Sequence, residues 1–290
     1  LFDRNTIHFL SSIIGIWSIE FIKYIKIGSK LVSKFCIGGN PFSGFSHQGS
    51  KRDQEMRDYF TDERIIDFLH QAEKEGINTL FARADDHILG VLKKYYQKNG
   101  KLQWFAQICA DVDIPDDENY SWKEWMKKAT DIGATSLYIH GGLVDYWYAN
   151  KQFDRFHEAL ALIQSYKKVS GFAGHVAEEH IWINHNLKPD FQMCSYYNPT
   201  DRSQSPHHSN INEKWDDNDR QEMLDVIKTI KVPVVHYKIF AGGNKPIEEA
   251  FDTLGNSMRP NDVVCIGVYQ KDDPDMLKKD IRFFEQSLRK

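Results

Sequence analysis

Cysteine is scarce in this chain: Cys36, Cys109, Cys194 and Cys265 are the four in 290 residues, and no two are spaced as CxxC. All four fall inside apolar runs that read as strands. They are expected as small buried hydrophobes in a reducing compartment, and their spacing argues against a zinc site. Long apolar runs are also lacking. Ile7–Trp17 is apolar, but Glu20, Lys23 and Lys26 soon break the run, which leaves less than the ~20 residues a helical span needs. No basic region precedes that run and no small-residue cleavage site comes after it, so a signal peptide is not indicated. Nor is there a Lys/Arg tract. With 27% charged residues and a formal net charge of −4, nothing concentrates positive charge for phosphate, which argues against nucleic acid. The expected setting is cytoplasmic and the expected partner a small-molecule substrate, with neither nucleic acid nor a membrane. The pattern sets no oligomeric state.

What is present is alternation. From Leu31 onward, short apolar runs exchange with amphipathic stretches. Strands are expected at Leu31–Gly38, Ile77–Ala82, Leu102–Cys109, Ala134–His140, Phe172–His175, Asp190–Tyr196, Pro233–Ile239 and Val263–Val268. Between them lie helices such as Asp62–Glu75, where Thr61 is a good N-cap, Ile65, Phe68, Leu69 and Ala72 share a face, and Gly76 stops the run. Others are expected at Asp86–Gln97, Trp122–Ile132, Phe153–Val169, Asp219–Ile230, Pro246–Leu254 and from Pro274 to Leu288. Parallel strands require such crossovers, and this number of units points to a single-domain (β/α)8 TIM barrel over residues 31–290. An open doubly wound sheet would want a GxGxxG turn after strand one, which Gly38–Pro41 does not supply. Residues 1–30 are an N-terminal extension: dispensable, or a helix closing the barrel bottom, or an anchor.

A barrel's active site forms where its strands end, and here those ends are polar. Strand one leads to Asn40 and His47; strand two to Arg83, Asp86 and His87; strand three to Gln107 and Asp111. Strand four ends at His140 with Asp145 beyond, and strand five at His175 with Glu178 close by. Strand six runs through Tyr196 and Tyr197 to Asn198; strand seven carries His236 and Lys238. Five histidines (His47, His87, His140, His175 and His236) thus gather on one rim, and convergence of that kind favours a functional role for at least two. His70, His157, His180 and His185 belong with helices, and the pair at 207–208 reads as solvated loop. His236 and Lys238, two apart, share a strand face, and the apolar character of Val235, Tyr237 and Ile239 sends those toward the helices. Both polar residues are therefore expected inside the barrel, where a lysine must be paired, for instance with Asp86, or functional.

Several segments resemble the aldo-keto reductase superfamily: Gly76–Thr79 leading into a strand, Leu137–His140, Val264–Tyr269 and Asp275–Ile281. The similarity covers residues 31 to 290. Gly39–Gly44, Met193–Pro199 and His236–Lys238 resemble more closely an uncharacterised branch of such barrels. The resemblance implies an NADP or NAD cofactor, its phosphates near Gly242 and Gly243 and near the loop from Gly267 to Lys271. It also implies an Asp, Tyr, Lys, His catalytic set. Only His140 matches that set, because residues 80–87 lack the family's tyrosine; Tyr196 or Tyr197 is the candidate substitute.

Three functions are compatible with these residues. One is an aldo-keto-reductase-like oxidoreductase acting on a carbonyl or sugar-like substrate, with His140 polarising the substrate oxygen and Tyr196, His236 and Lys238 around it. Asn40, Arg83, Asp86, His87, Gln107, His175 and Asn198 would bind the substrate. Another is a lyase, isomerase or hydrolase. It would use a divalent metal held by three of His87, His140, His175 and His236, with Asp86 or Glu178 as a further ligand, or Lys238 as acid, base or Schiff-base amine. The third is a non-catalytic binding barrel.

Overall fold

In the computed structural model, residues 23–109, 121–207 and 213–289 are described. The Ile7–Trp17 run, Asp111 and His208 lie outside them. The strands are β1 (Tyr24–Ile27), β2 (Lys30–Ser33), β3 (Phe35–Gly38), β4 (Thr79–Arg83), β5 (Gln103–Ile108), β6 (Ser136–Ile139), β7 (Val169–Gly174), β8 (Phe191–Ser195), β9 (Val234–Tyr237) and β10 (Val263–Gly267). The helices are α1 (Ser50–Tyr59), α2 (Asp62–Lys74), α3 (Asp86–Gln97), α4 (Ser121–Ile132), α5 (Gly141–Ala149), α6 (Phe153–Ser165), α7 (Ala177–Asn186), α8 (Asp217–Ile227), α9 (Ile247–Ser257) and α10 (Met276–Ser287). Strands β3 to β10 close into a barrel in sequence order, all parallel, with β10 pairing back onto β3. This is the (β/α)8 TIM barrel that the alternation predicts. No helix among the described residues is long and apolar enough to cross a membrane.

Local chemistry accounts for the element ends. Thr61 accepts a hydrogen bond from the Arg64 amide at the start of α2, and Asp85 does the same for Ile88 at α3, relieving backbone donors that have no partner inside the helix. Two helices escape the periodicity. In α1 only Asp53 and Met56 are buried, so it carries almost no apolar stripe. In α5 every residue from Gly141 to Asp145 is buried, so there is no polar face to set a period.

Alternation along the strands divides the core into two layers. Outside the barrel wall, under the helices, lie residues such as Ile37, Leu80, Trp104, Leu137, Phe172 and Val234. Inside lie Cys36, Phe81, Phe105, Tyr138, Phe191, Met193, Val235 and Cys265. Phe81, Phe105, Tyr138 and Phe191 pack ring against ring at centroid distances of 4.9 to 6.1 Å, filling the interior so that it is a core and not a pore.

The strand expected from Leu31 is divided. Lys30–Ser33 pairs antiparallel with Tyr24–Ile27 as a hairpin, and the barrel strand begins only at Phe35. Ile25, Ile27 and Val32 join the inner cluster, so the hairpin closes the end of the barrel opposite the functional rim. It supplies the closure that one of the three alternatives gives to a helix, and residues 24–30 belong to the packed structure and are not a dispensable extension. Truncating Ile27, which is fully buried, should cost about 2–5 kcal/mol. A chain starting at residue 31 should melt well below the full chain; equal melting temperatures in a thermal scan would show that the plug contributes nothing.

Candidate functional site

Above the aromatic layer, at the C-terminal ends of the strands, lies a cavity of about 500 Å3, within the size range of small-molecule sites. Its lining includes Arg83, Gln107, His140, His175, Arg202, Tyr237 and Lys238. Each side chain is brought there by a strand end or the loop after it.

The best-connected part is a buried chain of hydrogen bonds. Asp145, on α5, accepts from the backbone amide of His175 at 3.0 Å, from His175 Nδ1 at 2.8 Å and from Arg202 Nη1 at 3.1 Å. Burial disfavours the charged carboxyl. The His175 contact and the Arg202 guanidinium outweigh it and hold Asp145 well below the usual carboxylate range. Burial pushes the His175 imidazole well below its ordinary value, although Asp145 pulls the other way. A neutral ring whose Nδ1–H donates to Asp145 leaves Nε2 as an acceptor, and Tyr237 Oη lies 3.2 Å from it. Close approach is possible because residue 141 is glycine. A Cβ there would stand 2.6 Å from the His175 ring and 3.1 Å from the Tyr237 hydroxyl.

Lys238 follows Tyr237 and lines the same cavity. Its backbone is left-handed, with φ of 56°, a conformation that costs a non-glycine residue of order 1–3 kcal/mol and clusters at functional sites. Burial, reinforced by Arg202, lowers its ammonium to about 7, against the opposing charges of Glu213 and Asp145. Among the described residues it has no ion-pair partner; its Nζ lies 5.9 Å from the centroid of the Trp215 ring. The expected pairing with Asp86 is absent, since Asp86 is exposed at the start of α3.

Of the residues singled out in the sequence, Asn40, Arg83, Gln107, His140, His175, Lys238, Gly242, Gly243 and Gly267 line the cavity. His140 also caps α5, accepting from the Gly142 amide at 3.1 Å, and burial, with Arg202 and Arg83, keeps its ring well below the usual histidine range. Gly242 has φ of 61°, and a Cβ there would press on Trp215 and His47. Its smallness is thus set by packing of the turn after β9. His47 reaches the cavity and contacts Glu213 at 2.9 Å. His207, expected in solvated loop, lines the cavity as well.

Six expected residues are elsewhere. The inward face of β9 is the opposite of the one anticipated: Val235 and Tyr237 point into the barrel, while His236 is buried behind the wall. There His236 Nδ1 meets Tyr196 Oη at 3.0 Å and Nε2 meets Asp262 at 3.2 Å. Arg259 donates further bonds to that carboxylate. Tyr196 and His236 are therefore parts of a structural network. The inference failed because an aromatic residue was equated with the helix-facing side, whereas a tyrosine can end the inner layer with its hydroxyl in the cavity. His87 is exposed and 3.4 Å from Asp62; Asp86 and Lys271 are exposed. Asn198, whose amide binds Asp219 at 3.1 Å, is not in the lining. Beside His175 it is Glu179 that is buried, whereas Glu178 is exposed.

The proposed metal set of His87, His140, His175 and His236 thus does not converge. Among the described residues, no group of three His, Cys, Asp or Glu side chains is placed to hold a metal ion. Arg202 and Tyr237 were missed altogether. Arg202 had no signal, being one arginine in a polar loop; Tyr237 had one in the period-two pattern that places it with Val235.

No family model matches the sequence, and no curated protein does. Among solved structures, the chain is similar to one from Pseudomonas aeruginosa named "Putative aldo-keto reductase", at 15% identity and a TM-score of 0.62, over 93% of this chain and 98% of that one. It is also similar to a truncated 3-deoxy-D-arabino-heptulosonate 7-phosphate synthase from Thermotoga maritima, at 11% identity and a TM-score of 0.54, over 92% of each chain. The neighbours are enzymes on TIM barrels, and at these identities the likeness is one of fold.

If His236 acts only behind the wall, His236→Ala should destabilise the protein by about 3 kcal/mol, since a buried carboxylate loses a partner. Affinity for any ligand of the cavity should stay within about twofold, or ~0.4 kcal/mol. A tenfold loss of binding at unchanged stability would return His236 to the site.

Proposed function

We propose that the protein is an enzyme acting on a small carbonyl compound, with the Lys238 amine as its nucleophile and the Tyr237–His175–Asp145 chain as its proton relay. One observation carries this reading: a partly buried lysine with no ion-pair partner among the described residues lines the same cavity as that relay. A lysine whose ammonium titrates near 7 is in part a free amine at neutral pH, which is the nucleophilic form.

The amine nitrogen attacks the carbonyl carbon, and the carbinolamine formed loses its oxygen as water to leave an iminium. The iminium withdraws electrons from the adjacent carbon, so a C–C or C–H bond there can break, its electron pair entering the enamine. Tyr237 accepts the proton released as its own passes to His175 Nε2, and Asp145 stabilises the imidazolium that results. Arg83, Gln107, His140 and Arg202 supply donors for the substrate's oxygens. The reaction class is a lyase, aldolase-type or isomerase step next to a carbonyl.

A chemical trap reads this directly. Pyruvate, glycolaldehyde and dihydroxyacetone phosphate are each mixed with the protein and cyanoborohydride. At least one should leave a mass increment on the peptide containing Lys238, growing faster as pH rises from 6 to 8. Lys238→Met should abolish it. An increment spread over surface lysines, or none with all three, counts against amine catalysis. The same variant reports the amine through stability. Because the folded-state value lies below the ordinary 10.5, the charge is a full liability below about pH 7 and fades toward pH 10.5. Lys238→Met should therefore stabilise the protein most at pH 6 and progressively less up to pH 9; an even or destabilising effect would mean that the ammonium is satisfied.

A second reading, a reductase using NADPH or NADH, is favoured by the extent of the cavity, which runs from Tyr237 past Gly242 and Gly243 to Gly267 and Met276. Dinucleotide held there would supply hydride to a carbonyl polarised by His140. Titration of the protein with NADPH and NADH, followed by tryptophan fluorescence, should then give micromolar binding. No quenching at millimolar dinucleotide would remove this reading and leave the amine reading standing.

A further inference from the structure

The side of the cavity away from Lys238 is built by β10, the loop after it, α10 and α1, with Arg52, Met56, Ile266, Tyr269, Met276 and Asp280 in its lining. The charges there are accounted for with a single exception. Arg52 pairs with Asp272 and lies over the Tyr269 ring, 4.6 Å from its centroid. Lys245, also in the lining, pairs with Asp217 at 2.8 Å. Asp280, on α10 one turn from Met276, is only 3% exposed, and among the described residues it has neither a hydrogen-bond nor an ion-pair partner.

A carboxyl nearly removed from water and left without donors is costly wherever it is. Helix α10 packs Leu277, Ile281 and Phe284 into the core, and an apolar residue in place of Asp280 would continue that stripe at no such cost. A ligand entering the cavity, which Asp280 lines, can supply the donors this carboxyl lacks.

We propose that Asp280 is a ligand subsite, taking the protonated-amine end of a molecule that occupies this cavity. Methionines 56 and 276, Ile266 and the edge of Tyr269 give the ligand's carbon stem an apolar wall. They also exclude water, which strengthens the pairing of ammonium with carboxylate. Taken with the proposed function, the substrate class is a carbonyl compound that carries an amine at its other end. The subsite rests on this cavity being the ligand site and is independent of amine catalysis by Lys238.

Burial, with Asp273 nearby, raises the empty Asp280 carboxyl to about 7, so an arriving ammonium must displace a proton below that pH. The other groups facing it are fixed or identified. Arg52 is paired with Asp272 and Lys245 with Asp217, and Lys238 at the far side also discharges near neutrality. Affinity for the cation should therefore rise with pH, and Lys238→Met isolates the part due to Asp280.

The test uses n-hexylammonium and n-hexanol as probes, titrated calorimetrically into the full chain. At pH 8 the ammonium should bind at least tenfold more tightly than the alcohol. Its affinity should fall on going to pH 6, in the wild type and in Lys238→Met alike. Asp280→Asn made in the Lys238→Met background, matched in shape and checked for folding by circular dichroism, should bind both probes equally and without pH dependence. Equal affinity of the wild type for the two probes overturns the proposal, as does an ammonium preference that survives in Asp280→Asn. Should that variant not fold, the pH profile of Lys238→Met decides alone, a flat profile overturning the subsite. Failure of the cyanoborohydride trap with the hexylammonium preference intact removes only the Lys238 reading; the converse removes only the subsite.

Discussion

Asp145 ties three separate pieces of chain to one point. Its two oxygens receive the amide and ring of His175 at the end of β7 and the guanidinium of Arg202 from the loop beyond β8, while Asp145 itself sits on α5 after β6. A buried charge of this kind persists only if its neighbours saturate it. Those neighbours thereby lose their freedom: His175 is held in one tautomer and orientation, and Tyr237 meets its remaining nitrogen. Arg202 is fixed close enough to depress the Lys238 ammonium further than burial does alone. The order of the rim and the lowered ammonium of its lysine thus share a cause.

Beneath the rim, the barrel supplies rigidity in layers. The hairpin plugs one end, four aromatic rings fill the middle, and the polar layer lies on top of them. Close packing lets little of this move independently, so the positions of Tyr237 and His175 are set by the aromatic floor as well as by their own bonds. Behind β9, the Tyr196–His236–Asp262–Arg259 network is a second polar cluster in which each group is satisfied by the others. The two clusters lie on opposite sides of one strand.

The two readings of the cavity share one principle. In each case a titratable group is withdrawn from water in part or almost wholly and has no ion-pair partner among the described residues, Lys238 at one side and Asp280 at the other. Stable proteins seldom retain such groups without a use, and a ligand joining a carbonyl to an amine would complete both.

The sequence by itself determined the barrel. Eight apolar runs separated by amphipathic helices admit few parallel arrangements, and Thr61, Gly76 and Asp85 mark element ends through backbone geometry that is local. It also placed His140, His175, Arg83, Gln107 and Lys238 at strand ends, since position along a strand follows from chain order. Only the tertiary structure decided which face of β9 looks inward. That choice depends on register within the closed sheet, where a shift of one residue exchanges Tyr237 for His236. The fold likewise decided that Arg202 would reach Asp145, 57 residues earlier in the chain, and that Asp280 would border the same cavity as Lys238. Those relations are set by how the strands pair around the barrel, and no local pattern of residues encodes them.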